Sequence, residues 1–116
     1  MAKHNKIGQM GERLAVAFFV KKGYKILDKN WRSGNWEIDI IAKRMGILHF
    51  IEVKTKTNNI HGYPEEAVTK SKLQFVINGA ERYLLENPEW DRIQFDILSI
   101  TLNPNIDYFL MEDVFL

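Results

Sequence analysis

Hydrophobic and polar positions repeat with two different periods along this chain of 116 residues. Residues 7–22 carry apolar side chains at the three- and four-residue spacing of one helix face, and Gly23 stands where a left-handed residue commonly ends a helix. A second helix is predicted after Thr69, whose hydroxyl suits the N-cap position. Its apolar stripe is expected to contain Leu73, Val76, Ile77, Ala80, Tyr83 and Leu84.

Five further segments show the period of two that is typical of β-strands. They are residues 24–32, 36–43, 47–55, 92–102 and 107–111. Polar stretches at 33–35 and 103–105 predict turns. Residues 56–64 predict a polar loop that ends in a short turn at Pro64. The order α-β-β-β-α-β-β predicts one α/β domain over residues 1–116, with a central mixed β-sheet flanked by helices, because the crossover through the second helix favours a parallel strand pair.

The third predicted strand is the most hydrophobic, and it ends in Glu52 and Lys54, one pleat apart on the same face. Asp39 lies on the preceding strand. An antiparallel hairpin with an even number of loop residues puts Asp39 and Glu52 on one face, whereas an odd number separates them. A four-residue loop, 44–47, would pair the two acids directly, and a two-residue loop, 44–45, would place them diagonally. The apolar pattern of both strands favours an even loop.

Two carboxylates on a largely buried face are costly, because burial and mutual repulsion both disfavour their charged forms. A hard divalent cation such as Mg²⁺ or Mn²⁺ removes that cost, since it takes oxygen ligands, often two carboxylates together with waters and phosphate oxygens. Asp39 and Glu52 are therefore candidate metal ligands. Lys54 is a candidate to contact a phosphate or to orient and help activate the attacking water. The alternative is a surface ion pair at a strand end, with Glu52 and Lys54 simply solvated.

Glu12 lies among apolar residues on the first predicted helix. Its nearest neighbours on a helical wheel are Gly8, Ala15, Val16 and Phe19. A carboxylate without a partner on such a face is expensive. Glu12 is therefore expected either to pair with an Arg or Lys or to point to the same cation or water as Asp39 and Glu52.

Composition narrows the class of protein. The chain has no cysteine, which excludes disulfides, a thiol nucleophile and a cysteine zinc site. The apolar run over residues 14–20 is too short to span a bilayer, and the N-terminus shows no signal-type cleavage stretch. We therefore expect a cytoplasmic protein that does not enter a membrane.

The net charge of +1 conceals an imbalance between the two ends of the chain. Residues 1–44 carry a net charge of +6, and residues 87–116 carry −5. Such an imbalance predicts a polyanionic partner for the first part of the chain. On charge alone, an uneven scatter of surface lysines explains the same numbers equally well.

The segments that hold the candidate residues, GNWEIDIIAK and LHFIEVKTK, resemble the core of the PD-(D/E)xK nuclease superfamily. The first helix and the acidic hairpin are similar in layout to archaeal Holliday junction resolvases. From GQMGERLA through GYPEEAVTKSK to IQFDILSI, almost the whole chain resembles the YraN-like family of small bacterial proteins. The resemblance implies a restriction-endonuclease-like core in which Asp39 and Glu52 bind metal. It further implies that Lys54 is the catalytic lysine and Glu12 an auxiliary acid. The one departure from the superfamily pattern is the residue before Asp39, which is Ile38 instead of proline.

These features predict a Mg²⁺- or Mn²⁺-dependent endonuclease-type phosphodiester hydrolase that acts on DNA or structured nucleic acid. The rival prediction is a non-catalytic nucleic-acid-binding or assembly module that retains the nuclease fold. Resolvase-like proteins work as dimers, so the resemblance also implies a homodimer.

Other polar and aromatic residues are weaker candidates. Glu37 faces the same side as Asp39, His49 is expected to be a packed histidine, and Asp96 is expected to bond structurally. His61 is expected to be solvated, although a loop histidine could touch a phosphate.

Three lysines follow the candidate site and could bind backbone phosphates, namely Lys56, Lys70 and Lys72. Without such a ligand they are a plain loop and helix start. Trp31 and Trp36 could stack on an unpaired base, but core packing is the expectation for both.

Overall fold

The computed structural model of the protein describes residues 6–58 and 70–114. Within these two ranges the chain forms two helices and five strands in the predicted order. The helices are α1 (Lys6–Lys21) and α2 (Lys70–Glu86), and the strands are β1 (Lys25–Ser33), β2 (Trp36–Arg44), β3 (Ile47–Lys56), β4 (Ile93–Thr101) and β5 (Asp107–Met111). The predicted polar loop from residue 59 onwards, with Pro64 and the predicted N-cap Thr69, lies outside the described residues.

The five strands form one sheet in the order β1-β2-β3-β4-β5. Strands β3 and β4 are parallel, and each of the other neighbouring pairs is antiparallel. The predicted mixed sheet is thus confirmed. The parallel pair flanks α2 in the sequence, as expected for a crossover through that helix.

Each face of the sheet carries its own hydrophobic core. On one face α1 supplies Ala15 and Phe19, which pack with Ile40 and Ile51. On the other face α2 supplies Val76, Ala80 and Tyr83 to a second cluster. The central strands therefore bury alternate residues on opposite sides, which explains why β2 and β3 are apolar on both faces. The other members of the predicted α2 stripe, Leu73, Ile77 and Leu84, are partly buried.

A close approach between α1 and β3 depends on Gly11. This residue is fully buried, and a Cβ added to it would collide with Oγ1 of Thr55. Glycine therefore lets the helix backbone rest directly on the third strand. The next residue along α1 is Glu12, so the same contact brings its carboxylate towards the end of the acidic hairpin.

The turn between β2 and β3 consists of Met45 and Gly46, because Arg44 pairs with Ile47. Both turn residues have left-handed backbone angles, with φ of 53° at Met45 and 79° at Gly46. Such paired positive angles belong to the tight hairpin turn whose twist matches that of the strands. The predicted even loop is confirmed, although its boundaries differ from both of the loops considered in the sequence analysis.

Within the described ranges, neither helix is long and apolar enough to cross a membrane.

Candidate metal centre

Asp39 and Glu52 lie just beyond the last paired residues of the β2–β3 hairpin. The pairing runs from Arg44–Ile47 to Ile40–Ile51, so Asp39 comes directly before the paired part of β2 and Glu52 directly after that of β3. There the backbone N–H of Val53 donates a 2.8 Å hydrogen bond to Oδ2 of Asp39. The Asp39 carboxylate therefore lies against the β3 backbone, at the point where the regular pairing of the two strands ends.

Glu52 is a buried acid, only 5% exposed. Burial, followed by the negative charge of Asp39, raises the pKa of Glu52 from 4.5 to about 8. Lys72 and Lys54 act in the opposite direction and lower this pKa. Oε1 of Glu52 is buried and has no hydrogen-bond partner among the described residues. One oxygen of this carboxyl group is thus buried without a hydrogen-bond partner among the described residues.

Asp39 is a second acid whose pKa is raised. Burial is the main reason that its pKa is raised, and the negative charges of Glu37 and Glu12 raise it further. The hydrogen bond from Val53 and the positive charge of Lys72 lower the same pKa. Two acids with raised pKa values therefore stand close together, and each is held against a positive group or a backbone donor.

Lys54 lies two residues beyond Glu52 on β3, where Ser99 of β4 is its parallel neighbour. The side chain is half-buried, and its positive charge lowers the pKa of Glu52. The structure thus brings the predicted trio of Asp39, Glu52 and Lys54 into one electrostatically coupled group.

Glu12 joins this group from α1. Its Oε1 accepts a 3.2 Å hydrogen bond from Nδ2 of Asn30 on β1. A cavity of about 270 Å³ lies beside this contact, and its lining includes Glu12, Arg13, Lys29, Asn30 and Asp39. Glu12 thus lies beside Asp39, and its negative charge is one of the causes that raise the pKa of Asp39.

Some residues of this group were missed by the sequence analysis. Asn30 has a left-handed φ of 52° and lies between Lys29 and Trp31, which pair with Ile40 and Ile38. It thus occupies the place across from Asp39. An asparagine inside a strand pattern is the one signal that the sequence offered, since asparagine tolerates this conformation.

Lys72 was expected at most to bind a backbone phosphate, but its Nζ lies 3.3 Å from Oε2 of Glu52. It extends from the first turn of α2 to the acid at the end of β3. This contact joins two elements that are distant in the sequence, so the residue spacing gave no indication of it.

The weaker candidates have other partners. Glu37 forms an ion pair with Arg32, at 3.2 Å, across the β1–β2 pair. Asp96 is buried and bonds structurally, as predicted, because Nδ1 of His49 lies 2.6 Å from its Oδ2 and Gln94 donates to its Oδ1. His49 is a packed histidine, as predicted. His61 lies outside the described residues.

The donor set suits a hard divalent cation with few protein ligands. No group of three or more His, Asp or Glu residues that could hold a metal ion occurs in the ranges 6–58 and 70–114. Magnesium, however, is commonly held by one or two carboxylates, with waters and substrate phosphates as the remaining ligands. Asp39 and Glu52 are such a pair, and the buried Oε1 of Glu52 supplies an oxygen that has no other described partner. The residues present therefore fit such an ion.

Comparisons with known proteins place this chain among a set of bacterial proteins without an assigned activity. The sequence model described as "Uncharacterised protein family UPF0102" matches residues 11–100. A UPF0102 protein of Chloroherpeton thalassium is 42% identical, and the alignment covers 93% of this chain and 92% of the relative. A UPF0102 protein of Clostridium perfringens is 45% identical over 89% of this chain and 86% of the relative. One from Flavobacterium psychrophilum is 41% identical over 86% and 84%.

Proposed function

Because the chain belongs to the uncharacterised protein family UPF0102, whose description names no activity, we propose its function from the chemistry of its own residues. The protein is a metal-dependent endonuclease-type phosphodiester hydrolase that acts on DNA or structured nucleic acid. Its α/β domain, with a mixed sheet flanked by helices, supports this proposal, because the sequence resemblance implied a core of this general architecture.

The observation that carries this proposal is the buried environment of the Glu52 carboxyl group. A carboxyl group that is 5% exposed, whose Oε1 has no described partner and whose pKa is raised to about 8, is costly to keep in a folded protein. Asp39, which also has a raised pKa, increases that cost. Such costs are typical of functional sites, where groups are held for their chemistry. A packing role for Glu52 would be served better by an apolar side chain.

Each residue of the group has a task in this proposal. Asp39 and Glu52 would hold Mg²⁺ or Mn²⁺, which when bound supplies Lewis-acid polarisation of the phosphodiester and acidifies water. Lys54 orients the attacking water or contacts the scissile phosphate through its ammonium group. The Val53 N–H keeps one oxygen of Asp39 in place. Glu12 lines the same cavity as Asp39, and in this proposal it accepts a proton or orients water there.

Charge supports a nucleic acid as the substrate. Arg13 and Lys29 line the same cavity as Glu12 and Asp39, so cationic groups stand near these two acids. Both belong to the segment of residues 1–44, which carries a net charge of +6. A phosphodiester backbone complements such a surface, and phosphate contacts provide most of the affinity of proteins for nucleic acids.

One observation favours the rival function, a non-catalytic binding or assembly module. The ammonium of Lys72 lies 3.3 Å from Oε2 of Glu52, so this carboxyl group already has a cationic partner within the chain. A carboxyl group that already has an ammonium partner gains less free energy from binding a metal cation. The two functions differ in one measurable property, which is turnover.

The experiment is a titration of the purified protein with Mg²⁺ and with Mn²⁺ against branched, flapped, single-stranded and duplex DNA. The proposal predicts cleavage of at least one of these substrates, dependent on the cation and abolished by a chelator. Binding without cleavage of any substrate at saturating cation would support the non-catalytic module. The Lys54→Ala variant, purified in parallel, controls for a contaminating nuclease.

A further inference from the structure

Lys72 is a cation that stands at the acidic pair but belongs to a different element. It extends from the first turn of α2, and its Nζ lies 3.3 Å from Oε2 of Glu52. Its side chain is 41% exposed, whereas that of Glu52 is 6% exposed. The ion pair is therefore asymmetric, because a buried acid is met by a base that solvent can reach.

The ammonium of Lys72 also lies near an aromatic ring while it contacts Glu52. Nζ lies 5.7 Å from the centroid of the Phe75 ring, three residues further along α2. An ammonium over an aromatic ring is attracted by the negative face of the ring. Lysine is also a compact charge on a flexible stem, and it changes partners without movement of the backbone. Loss of the contact with Glu52 would thus leave the ammonium beside a ring and near solvent.

Lys72 lies at the same carboxyl group that a bound metal ion would use. A divalent cation held by Glu52 requires oxygens of the same carboxyl group that now receives the ammonium. An ammonium and a divalent cation at one carboxylate repel each other, and they do so strongly where water is excluded. The two cations therefore compete for Glu52.

We propose that Lys72 is the internal cation of this site: its ammonium holds Glu52 until a divalent cation binds, and it then leaves Glu52 for the rim of the site, where it contacts a phosphate of the substrate. This inference rests on the proposed function, because it requires that Asp39 and Glu52 bind a divalent cation. It goes beyond that function by assigning to an α2 residue both the competition with metal and a substrate contact.

The inference is tested by the reactivity of individual lysines. A lysine held in an ion pair reacts slowly with an acylating reagent, and a released lysine reacts faster. The folded protein is labelled briefly with a low concentration of such a reagent, with and without saturating Mn²⁺, and modification at each lysine is measured by mass spectrometry. Lys70, exposed in the same helical turn, is the internal control. Calorimetry on the same sample measures whether Mn²⁺ binds.

The expected result is that Mn²⁺ binds and that labelling of Lys72 rises about threefold or more, while labelling of Lys70 stays constant. In the Asp39→Asn variant, at the same Mn²⁺ concentration, the rise at Lys72 should be lost. Binding of Mn²⁺ with unchanged or reduced labelling of Lys72 would overturn the role of Lys72 and leave the metal site standing. Absence of Mn²⁺ binding in calorimetry would overturn both, since no ion would then displace the ammonium.

Discussion

The side-chain amide of Asn30 donates a 3.2 Å hydrogen bond to Oε1 of Glu12, so the acid on α1 is fixed against β1 beside Asp39. Glutamine at position 12 retains an oxygen that can accept this bond but lacks the charge. We therefore expect Glu12→Gln to lower the cleavage rate on the order of tenfold or more, the scale of acid–base contributions, while the melting temperature stays nearly unchanged. Cleavage kinetics and a thermal melt measure the two effects.

A matched control for this variant is Glu81→Gln, since Glu81 is exposed on α2. It should change neither the rate nor the melting temperature. A Glu12→Gln protein that cleaves at the parent rate but melts at a lower temperature would make Glu12 a structural residue.

Lys54 separates chemistry from binding. Lys54→Ala leaves both acidic ligands in place, so we expect cleavage to be lost while Mn²⁺ still binds and affinity for nucleic acid falls only by the loss of one cation. Lys54→Arg should not restore full activity, because the broad guanidinium is a poor substitute for a compact ammonium beside water. Lys43→Ala, at the hairpin end of β2, removes the same charge away from Asp39 and should cleave normally. Normal cleavage by Lys54→Ala would remove this lysine from the mechanism.

The basic first part of the chain should make binding to nucleic acid sensitive to salt. Each neutralised phosphate releases counterions, so a protein that contacts several phosphates loses on the order of tenfold or more in affinity between low and moderate salt. Among charge reversals, Lys29→Glu should weaken binding most, because Lys29 lines the cavity with Asp39. Reversals at Lys21, Lys22 or Lys25 should have smaller effects, because these lysines are not among the residues that line the cavity with Asp39. Lys25 instead pairs with Lys43 near the hairpin turn.

Fluorescence anisotropy at several salt concentrations measures these affinities. Salt-independent affinity, or the lack of any binding at low salt, would argue for a protein partner.

The raised pKa of Glu52 predicts how stability depends on pH without metal. Between 4.5 and about 8 the folded protein retains a proton at Glu52 that the unfolded chain has released, so the free energy of unfolding falls as pH rises through this window. One such group gives a slope approaching about 1.4 kcal/mol per pH unit. Asp39, whose pKa is also raised, acts in the same direction.

Urea unfolding in a chelating buffer between pH 5 and 8 measures this dependence. Glu52→Gln should have a much shallower slope and be more stable than the parent at the upper end of the window. The control Glu86→Gln, which changes an exposed acid near Arg82, should keep the parent slope. Parent stability that rises with pH across the window would contradict the burial of a protonated Glu52.

The hydrophobic pattern was sufficient to predict the order of the helices and strands and the mixed sheet, because that pattern can be recognised within single elements. The alternation in β2 and β3 predicted both strands and the even loop, and the crossover through α2 predicted the parallel pair. The bounds of β5 agree with the prediction residue for residue. The position of the loop was less well determined, because the observed two-residue turn at Met45 and Gly46 lies one residue later than the 44–45 loop and allows Arg44 and Ile47 to pair, unlike the 44–47 loop.

The candidate site was only partly accessible to such reasoning. Glu52 and Lys54 lie on one strand, and Asp39 lies on its hairpin partner, so strand geometry alone related them. The contact of Lys72 with Glu52 and that of Asn30 with Glu12 join elements distant in the sequence. Such contacts depend on how helices are placed over the sheet, which periodicity does not specify.

The central claim is that Asp39 and Glu52 together hold a hard divalent cation, and calorimetric titration with Mn²⁺ tests it most directly. Asparagine at position 39 keeps an oxygen that accepts the Val53 hydrogen bond but removes the charge that such a cation requires. We expect the parent to bind Mn²⁺ and Asp39→Asn to bind it at least about tenfold more weakly. The matched control Glu37→Gln, changed at an acid paired with Arg32, should bind as the parent does. Equal Mn²⁺ affinity in the parent and in Asp39→Asn, or no binding to the parent, would contradict the account.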